Sequence, residues 1–195
     1  MFLTLVRFPL VVFFFFGAIL FIKYPDPWLF NLSLGMLIAS AVTDIFDGYF
    51  ARRFQVETKM GAHADPLMDK FFYLCTLPLL IFVTTHNNHI DHAIFILIIC
   101  VLFLARDQWV TFLRSIGSMY NISGGANWAG KLRTIVNFPL ICSIYYYEEA
   151  PTNYLINKML LHTVEVLAVV INFVSLYIYS KKYWPYLRKS ADIEE

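Results

Sequence analysis

Apolar residues along this chain come in blocks of about 20, the length at which a helix crosses about 30 Å of hydrocarbon. Six blocks are read: Leu3 to Ile22, Leu29 to Phe50, Ala64 to Thr85, Ile90 to Leu113, Trp128 to Tyr147 and Tyr154 to Tyr179. Polar or Pro/Gly-rich breaks fall at Tyr24–Trp28, His86–His92, Ser123–Gly125 and Glu148–Asn153. Such short connections join helices that pack as antiparallel neighbours. The pattern predicts an all-α integral membrane protein with six transmembrane helices. Pro78 and Pro139 lie inside spans and are expected to kink them.

Composition supports the pattern. The chain has 195 residues, a size expected to form one domain over 1–195. It is 59% hydrophobic with 19 Phe, against roughly 45–50% apolar residues in soluble domains. Net charge is only +1, so there is no electrostatic case for a nucleic-acid partner. The distribution of charge is more informative. With a cytoplasmic N-terminus, Arg7, Arg52, Arg53, Lys59, Lys70, Arg106, Arg114, Lys131, Arg133, Lys181, Lys182, Arg188 and Lys189 all fall on the cytoplasmic side. Only Lys23 and Lys158 fall outside. The positive-inside bias therefore predicts that both termini are cytoplasmic. The first block lacks a positive cluster and a small-residue cleavage site, and is expected to be a retained span rather than a signal peptide. Cys75, Cys100 and Cys142 have no metal or disulfide spacing and are expected to pack in the core.

Four aspartates interrupt this apolar scheme. Asp44, Asp47, Asp65 and Asp69 sit at the ends of the second and third blocks. A carboxylate at the bilayer centre costs roughly 3 kcal/mol, and four would cost on the order of 10 kcal/mol unless neutralised. On helices, Asp44 and Asp47 lie about 60° apart and Asp65 and Asp69 about 40° apart, so each pair faces one way. Four carboxylates in one pocket call for hard divalent cations, magnesium or manganese, and two ions balance them better than one. Gly48 and Gly61 permit close backbone approach. Arg52, one turn beyond Gly48, suits a phosphate. Together these residues describe a pyrophosphate site. The competing structural reading is a salt-bridge cluster in which Arg52, Arg53 and Lys70 neutralise the aspartates. A competing functional reading is a divalent-cation transporter, disfavoured because the outer halves of the spans read as nearly all apolar.

The spacing D-x2-D-G-x2-A-R-x8-G-x3-D-x3-D, carried by Asp44, Asp47, Gly48, Ala51, Arg52, Gly61, Asp65 and Asp69, resembles the signature of the CDP-alcohol phosphotransferases without a departure. The resemblance implies a six-helix membrane fold, usually homodimeric, with a cytoplasmic-side cavity. It implies that Asp44, Asp47, Asp65 and Asp69 hold the metal and that Asp69 is also the catalytic general base. It further implies that Asp44, Gly48, Ala51, Arg52 and Gly61 border the CDP group.

Two downstream segments bear on the acceptor. In Leu104–Arg114 and Trp128–Thr134, the cations Arg106, Arg114, Lys131 and Arg133 lie near the predicted cytoplasmic face. Clustered cations beside a metal site suit an acceptor with its own phosphate; the plainer reading makes them positive-inside anchors. Leu104-Ala105-Arg106-Asp107, Leu113-Arg114, Gly130-Lys131-Leu132-Arg133-Thr134 and Leu3-Thr4-Leu5-Val6-Arg7 are similar to the bacterial phosphatidylglycerophosphate synthase branch. The N-x-P-N-type lead usual in that branch does not precede Leu3. The branch implies CDP-diacylglycerol as donor and glycerol 3-phosphate as acceptor, in a bacterial inner membrane with the active site facing the cytoplasm. Serine, inositol phosphate or a second lipid remain alternative acceptors. His86, His89, Asp91 and His92 are expected to form a solvated loop on the outer side, and Gly117, Gly124 and Gly125 a flexible cytoplasmic loop gating entry.

Overall fold

The computed structural model describes residues 2–54, 59–120, 122, 128–151 and 156–191, with the side chains of 2–5, 44–45, 47–54, 59–66, 129 and 131 outside the described residues. Six helices follow in order: α1 (Phe2–Lys23), α2 (Pro27–Phe54), α3 (Lys59–His86), α4 (Ile90–Met119), α5 (Trp128–Glu149) and α6 (Lys158–Ala191). No strand occurs among the described residues. Local chemistry sets several boundaries. Pro27 opens α2, where its missing N–H costs nothing, and the Asp26 carboxylate caps the Trp28 N–H at 3.0 Å. Asn157 caps α6 through the Leu160 N–H at 2.7 Å. Asn88, with φ of 63°, makes the left-handed turn between α3 and α4.

α1 packs on α2 and α3; α4 joins α3 to α6; α5 packs on α6, α2 and α3. A continuous apolar core runs through the bundle, rich in fully buried aromatic rings such as Phe14, Phe72, Tyr73, Phe103 and Tyr145. Large apolar side chains also point outward: Phe13, Phe16, Val101, Ile135 and Val166 are more than half exposed, as lipid-facing positions are. Among the described residues, four helices are long and apolar enough to cross a membrane, within Val6–Lys23, Leu67–His86, Ile90–Met119 and Lys158–Ala191. The apolar described part of α2, Pro27–Thr43, is shorter. These helices mark the chain as an integral membrane protein.

Three expectations are corrected here. The chain around Gly117 is no loop: α4 continues to Met119, and Gly117 is buried where a Cβ would lie 2.3 Å from the Tyr183 ring. Gly124 and Gly125 lie outside the described residues. The sixth helix begins at Lys158 and runs twelve residues past the expected end at Tyr179, to Ala191. It does so because Tyr179, Tyr183 and Leu187 repeat every four residues and pack with Val110, Leu113 and Ile122. The histidine segment is a solvated turn only in part: His86, His89 and Asp91 are exposed, but His92 lies within α4, its side chain 11% exposed between two buried carboxylates.

Candidate active site

The cation that the aspartates require comes in part from α1. Arg7 donates from Nη1 to Oδ1 of Asp69 at 2.9 Å. Its side chain is almost fully buried, with the guanidinium over the rings of Phe72 and Phe138 at 5.2 and 5.0 Å. Those rings come from α3 and α5, so Arg7 ties three helices together beside Asp69. Asp69 keeps 35% of its side chain exposed, and its Oδ2 takes no hydrogen bond among the described residues.

Asp69 opens onto a cavity of about 200 Å³ walled by α3, α4, α5 and α6. Helical spacing builds each wall. On α4, Asp107, Thr111 and Arg114 fall at i, i+4 and i+7; on α5, Gly130, Arg133 and Thr134 fall at i, i+3 and i+4. Arg106 and Arg133 both donate to Oδ1 of Asp107, at 2.9 and 2.6 Å. Arg106 also donates to the Ser175 hydroxyl of α6. Arg114 donates to the Tyr179 hydroxyl at 2.9 Å, and Arg106 and Arg114 each lie 5.2 Å from the Tyr179 ring. Arg133 lies over Tyr73 at 5.3 Å. Ring faces and Asp107 hold these guanidinium groups in place without saturating them: each has more N–H donors than these contacts use.

Of the expected acceptor cations, Arg106, Arg114 and Arg133 thus share one cavity with Asp69. The side chains of Lys131, Asp44, Asp47, Gly48, Ala51, Arg52, Gly61 and Asp65 lie outside the described residues. Their backbones are helical, on α2 through Phe54, on α3 from Lys59 and on α5, so the spacing argument has the geometry it assumed. Among the described residues no three metal-ligating side chains gather. The fit to a hard divalent ion therefore rests on Asp69, which has an oxygen to give, and on the oxygen-only chemistry of its partners. Sequence reasoning assigned no site role to Arg7, Asp107 or Tyr179. A lone arginine early in an otherwise apolar helix was the available signal for Arg7. No sequence signal marks Tyr179, which reaches the cavity only through the packing of α6 on α4.

The opposite end of the bundle holds a second polar cluster. His92 places Nδ1 2.6 Å from Glu148 and Nε2 2.7 Å from Glu165, whose side chains are fully buried. His89 adds a contact to Glu148 at 2.8 Å and His162 one to Glu165 at 2.7 Å. The outer halves of the helices are therefore not all apolar. Between this cluster and the arginines, Ile96, Ile99, Phe103, Ile141, Ile144 and Ala168 are completely buried.

Comparison with known proteins bears on this arrangement. The model of the CDP-alcohol phosphatidyltransferase family matches residues 1–176. The chain belongs to that family. A CDP-diacylglycerol–glycerol-3-phosphate 3-phosphatidyltransferase of Cereibacter sphaeroides is 30% identical over 115 residues, 57% of this chain and 49% of the relative. A protein of the same name from Yersinia pestis (strain Pestoides F) is 27% identical over 186 residues, 93% of this chain and 92% of the relative. A cardiolipin synthase (CMP-forming) of Oryza sativa subsp. japonica is 46% identical over 54 residues, 28% of this chain and 16% of the relative. The chain spans about half the length, or less, of the first of the curated relatives it matches. In this CDP-alcohol phosphatidyltransferase family member, the matched stretch takes in Arg7, Asp69, Asp107 and Arg133 and stops short of Tyr179.

Proposed function

We propose that this protein transfers the phosphatidyl group of CDP-diacylglycerol to glycerol 3-phosphate, releasing CMP and forming phosphatidylglycerophosphate. One observation carries the choice of acceptor: Asp69 shares a cavity with Lys70, Arg106, Arg114 and Arg133. Four cations against the carboxylates of Asp69 and Asp107 leave an excess of two positive charges. That excess complements a phosphate monoester dianion, and a neutral acceptor such as serine has no use for it. The names of the relatives from Cereibacter and Yersinia agree with this acceptor.

Asp69 takes the proton of the acceptor's primary hydroxyl. The oxygen attacks the phosphorus that bears the diacylglycerol. A new phosphorus–oxygen bond forms, the bond to the bridging oxygen of the pyrophosphate breaks, and CMP leaves with that electron pair. Arg106, Arg114 and Arg133, with Lys131 as a further candidate, orient the acceptor by its own phosphate so that the hydroxyl meets Asp69. Arg7 keeps Asp69 aimed at the cavity. Asp44, Asp47, Asp65 and Asp69 would hold two divalent ions, magnesium or manganese, and Gly48, Ala51, Arg52 and Gly61 would border the CDP group. Bound there, the ions neutralise the pyrophosphate and polarise it for displacement.

In this reading, residues 1–195 form one domain with six membrane crossings and both termini in the cytoplasm. It sits in a bacterial inner membrane, with the cavity open to the cytoplasm and the exposed apolar faces available to lipid and to a second copy in a homodimer. The clustering of basic residues at the cavity end of the bundle supports that orientation. The buried apolar residues between the arginines and the His92 cluster, among the described residues, speak against a cation transporter.

The test is purified protein with CDP-diacylglycerol, magnesium and labelled glycerol 3-phosphate, serine, inositol phosphate or phosphatidylglycerol. Labelled lipid and CMP in equal amounts from glycerol 3-phosphate alone is the expected result. Labelled lipid from another acceptor would reassign the cavity, and cation flux without CMP release would exclude the enzyme reading.

A further inference from the structure

We propose that Asp107 determines acceptor specificity by accepting a hydrogen bond from the second, unreacting hydroxyl of a glycerol phosphate. The inference rests on the reading of the cavity as the site of a phosphorylated acceptor, and it follows from counting donors and acceptors there.

Donors dominate the cavity wall: Lys70 and the guanidinium groups of Arg106, Arg114 and Arg133 have none but N–H groups to offer. These suit a phosphate, but they cannot receive a hydroxyl proton. The neutral hydroxyls keep lone pairs to accept with, but a neutral acceptor makes a weaker hydrogen bond than a carboxylate. Thr111 donates to the Asp107 carbonyl at 2.7 Å, Thr134 donates to the Gly130 carbonyl at 3.3 Å, and Tyr179 accepts from Arg114 at 2.9 Å. Among the described residues, two carboxylates line the cavity, Asp69 and Asp107. Asp69 receives the proton of the reacting hydroxyl, and Asp107 is then the anionic acceptor that the described residues offer to a second hydroxyl.

The geometry of Asp107 fits that role. Both arginine bonds converge on one oxygen, Oδ1. They come from two helices, α4 and α5, and lock the carboxylate in place. Oδ2 accepts no hydrogen bond among the described residues, and the side chain keeps 9% exposure on the cavity wall. An acceptor with a phosphate, a reacting hydroxyl and one further hydroxyl then has a partner for each charged group described in the cavity. An acceptor without the further hydroxyl leaves Oδ2 desolvated and unmatched, and a site built to receive a hydroxyl discriminates against the analogue lacking it.

The experiment compares glycerol 3-phosphate with 3-hydroxypropyl phosphate, which differs only by lacking the middle hydroxyl, in wild-type protein and in Asp107→Asn. Wild type should prefer glycerol 3-phosphate by about tenfold to a hundredfold in kcat/KM, the range of a hydrogen bond to a charged group. Asp107→Asn slows with both acceptors, because Arg106 and Arg133 lose their shared counter-charge. It should lose about tenfold more with glycerol 3-phosphate, so that the preference collapses. Absence of preference in wild type overturns the proposal. So does a parallel loss with both acceptors, which would make Asp107 only a clamp for the arginines. If Asp107→Asn does not fold, Asp107→Glu replaces it: the added methylene displaces the carboxylate, and the preference should again fall, with an unchanged preference counting against the proposal. Transfer by wild type to neither phosphate, with transfer to serine or phosphatidylglycerol, would instead overturn the underlying reading of the cavity.

Discussion

Arg7 and Asp69, 62 positions apart in sequence, meet through a 2.9 Å hydrogen bond between α1 and α3. The guanidinium is walled in by Phe72 and Phe138. Arg7 therefore has little freedom to leave, and Asp69, on the cavity wall, has one oxygen fixed. Arg7→Met should lower kcat by more than about tenfold while changing KM for either substrate far less, since the loss falls on the alignment of the reacting group. Arg7→Lys should recover part of kcat. Steady-state kinetics in detergent micelles checks both; equal loss in kcat and affinity would argue for a general structural role.

Arg114 lies over the Tyr179 ring and donates to its hydroxyl, at the cavity wall. Arg114→Gln should raise KM for glycerol 3-phosphate by about tenfold or more, the loss of a charge-assisted contact to phosphate, while KM for CDP-diacylglycerol changes much less. Kinetics with each substrate varied in turn gives the comparison.

Helix placement was legible in the sequence and site assembly largely was not. Runs of apolar residues about one membrane thickness long gave the six helices, because hydrocarbon demands satisfied backbone over that whole length. Their ends were misjudged where polar residues stay helical: Arg114, Ser115 and Ser118 belong to α4, and the basic stretch from Lys181 belongs to α6. Loss of hydrophobicity marks the edge of the membrane, not the end of a helix. Arg106, Arg114 and Arg133 were identified from charge and segment. The pairing of Arg133 with Asp107 joins residues 26 apart on different helices, and that of Arg7 with Asp69 spans a still longer separation. Such contacts depend on helix packing, which periodicity does not encode.

Gly117 faces Tyr183 so closely that an added Cβ would sit 2.3 and 2.9 Å from two ring carbons. Tyr183 is completely buried and cannot swing aside freely. Gly117→Ala should destabilise the fold by about 1–3 kcal/mol through overpacking. Gly35→Ala has nothing within 4 Å to meet and should be neutral or slightly stabilising. Thermal unfolding in detergent distinguishes the two.

His92 bridges Glu148 and Glu165 at the end of the bundle away from the cavity. The ring contacts one buried carboxylate through each of its nitrogens. His92→Ala removes the group that bridges those carboxylates, leaving only His89 on Glu148 and His162 on Glu165, and should cost about 3 kcal/mol. Adding Glu165→Gln should restore part of the loss. Unfolding midpoints of the single and double variants measure this coupling.

The central claim is that Asp69 drives transfer of a phosphatidyl group to an acceptor held by the neighbouring arginines. The direct measurement is CMP and phosphatidylglycerophosphate formed together from CDP-diacylglycerol and glycerol 3-phosphate, for wild type and Asp69→Asn, with and without a chelator. Wild type should form the two products one for one, and stop when the divalent metal is removed. Asp69→Asn should fall by about a hundredfold or more. Undiminished turnover in Asp69→Asn, or CMP release that needs neither acceptor nor metal, would contradict the account.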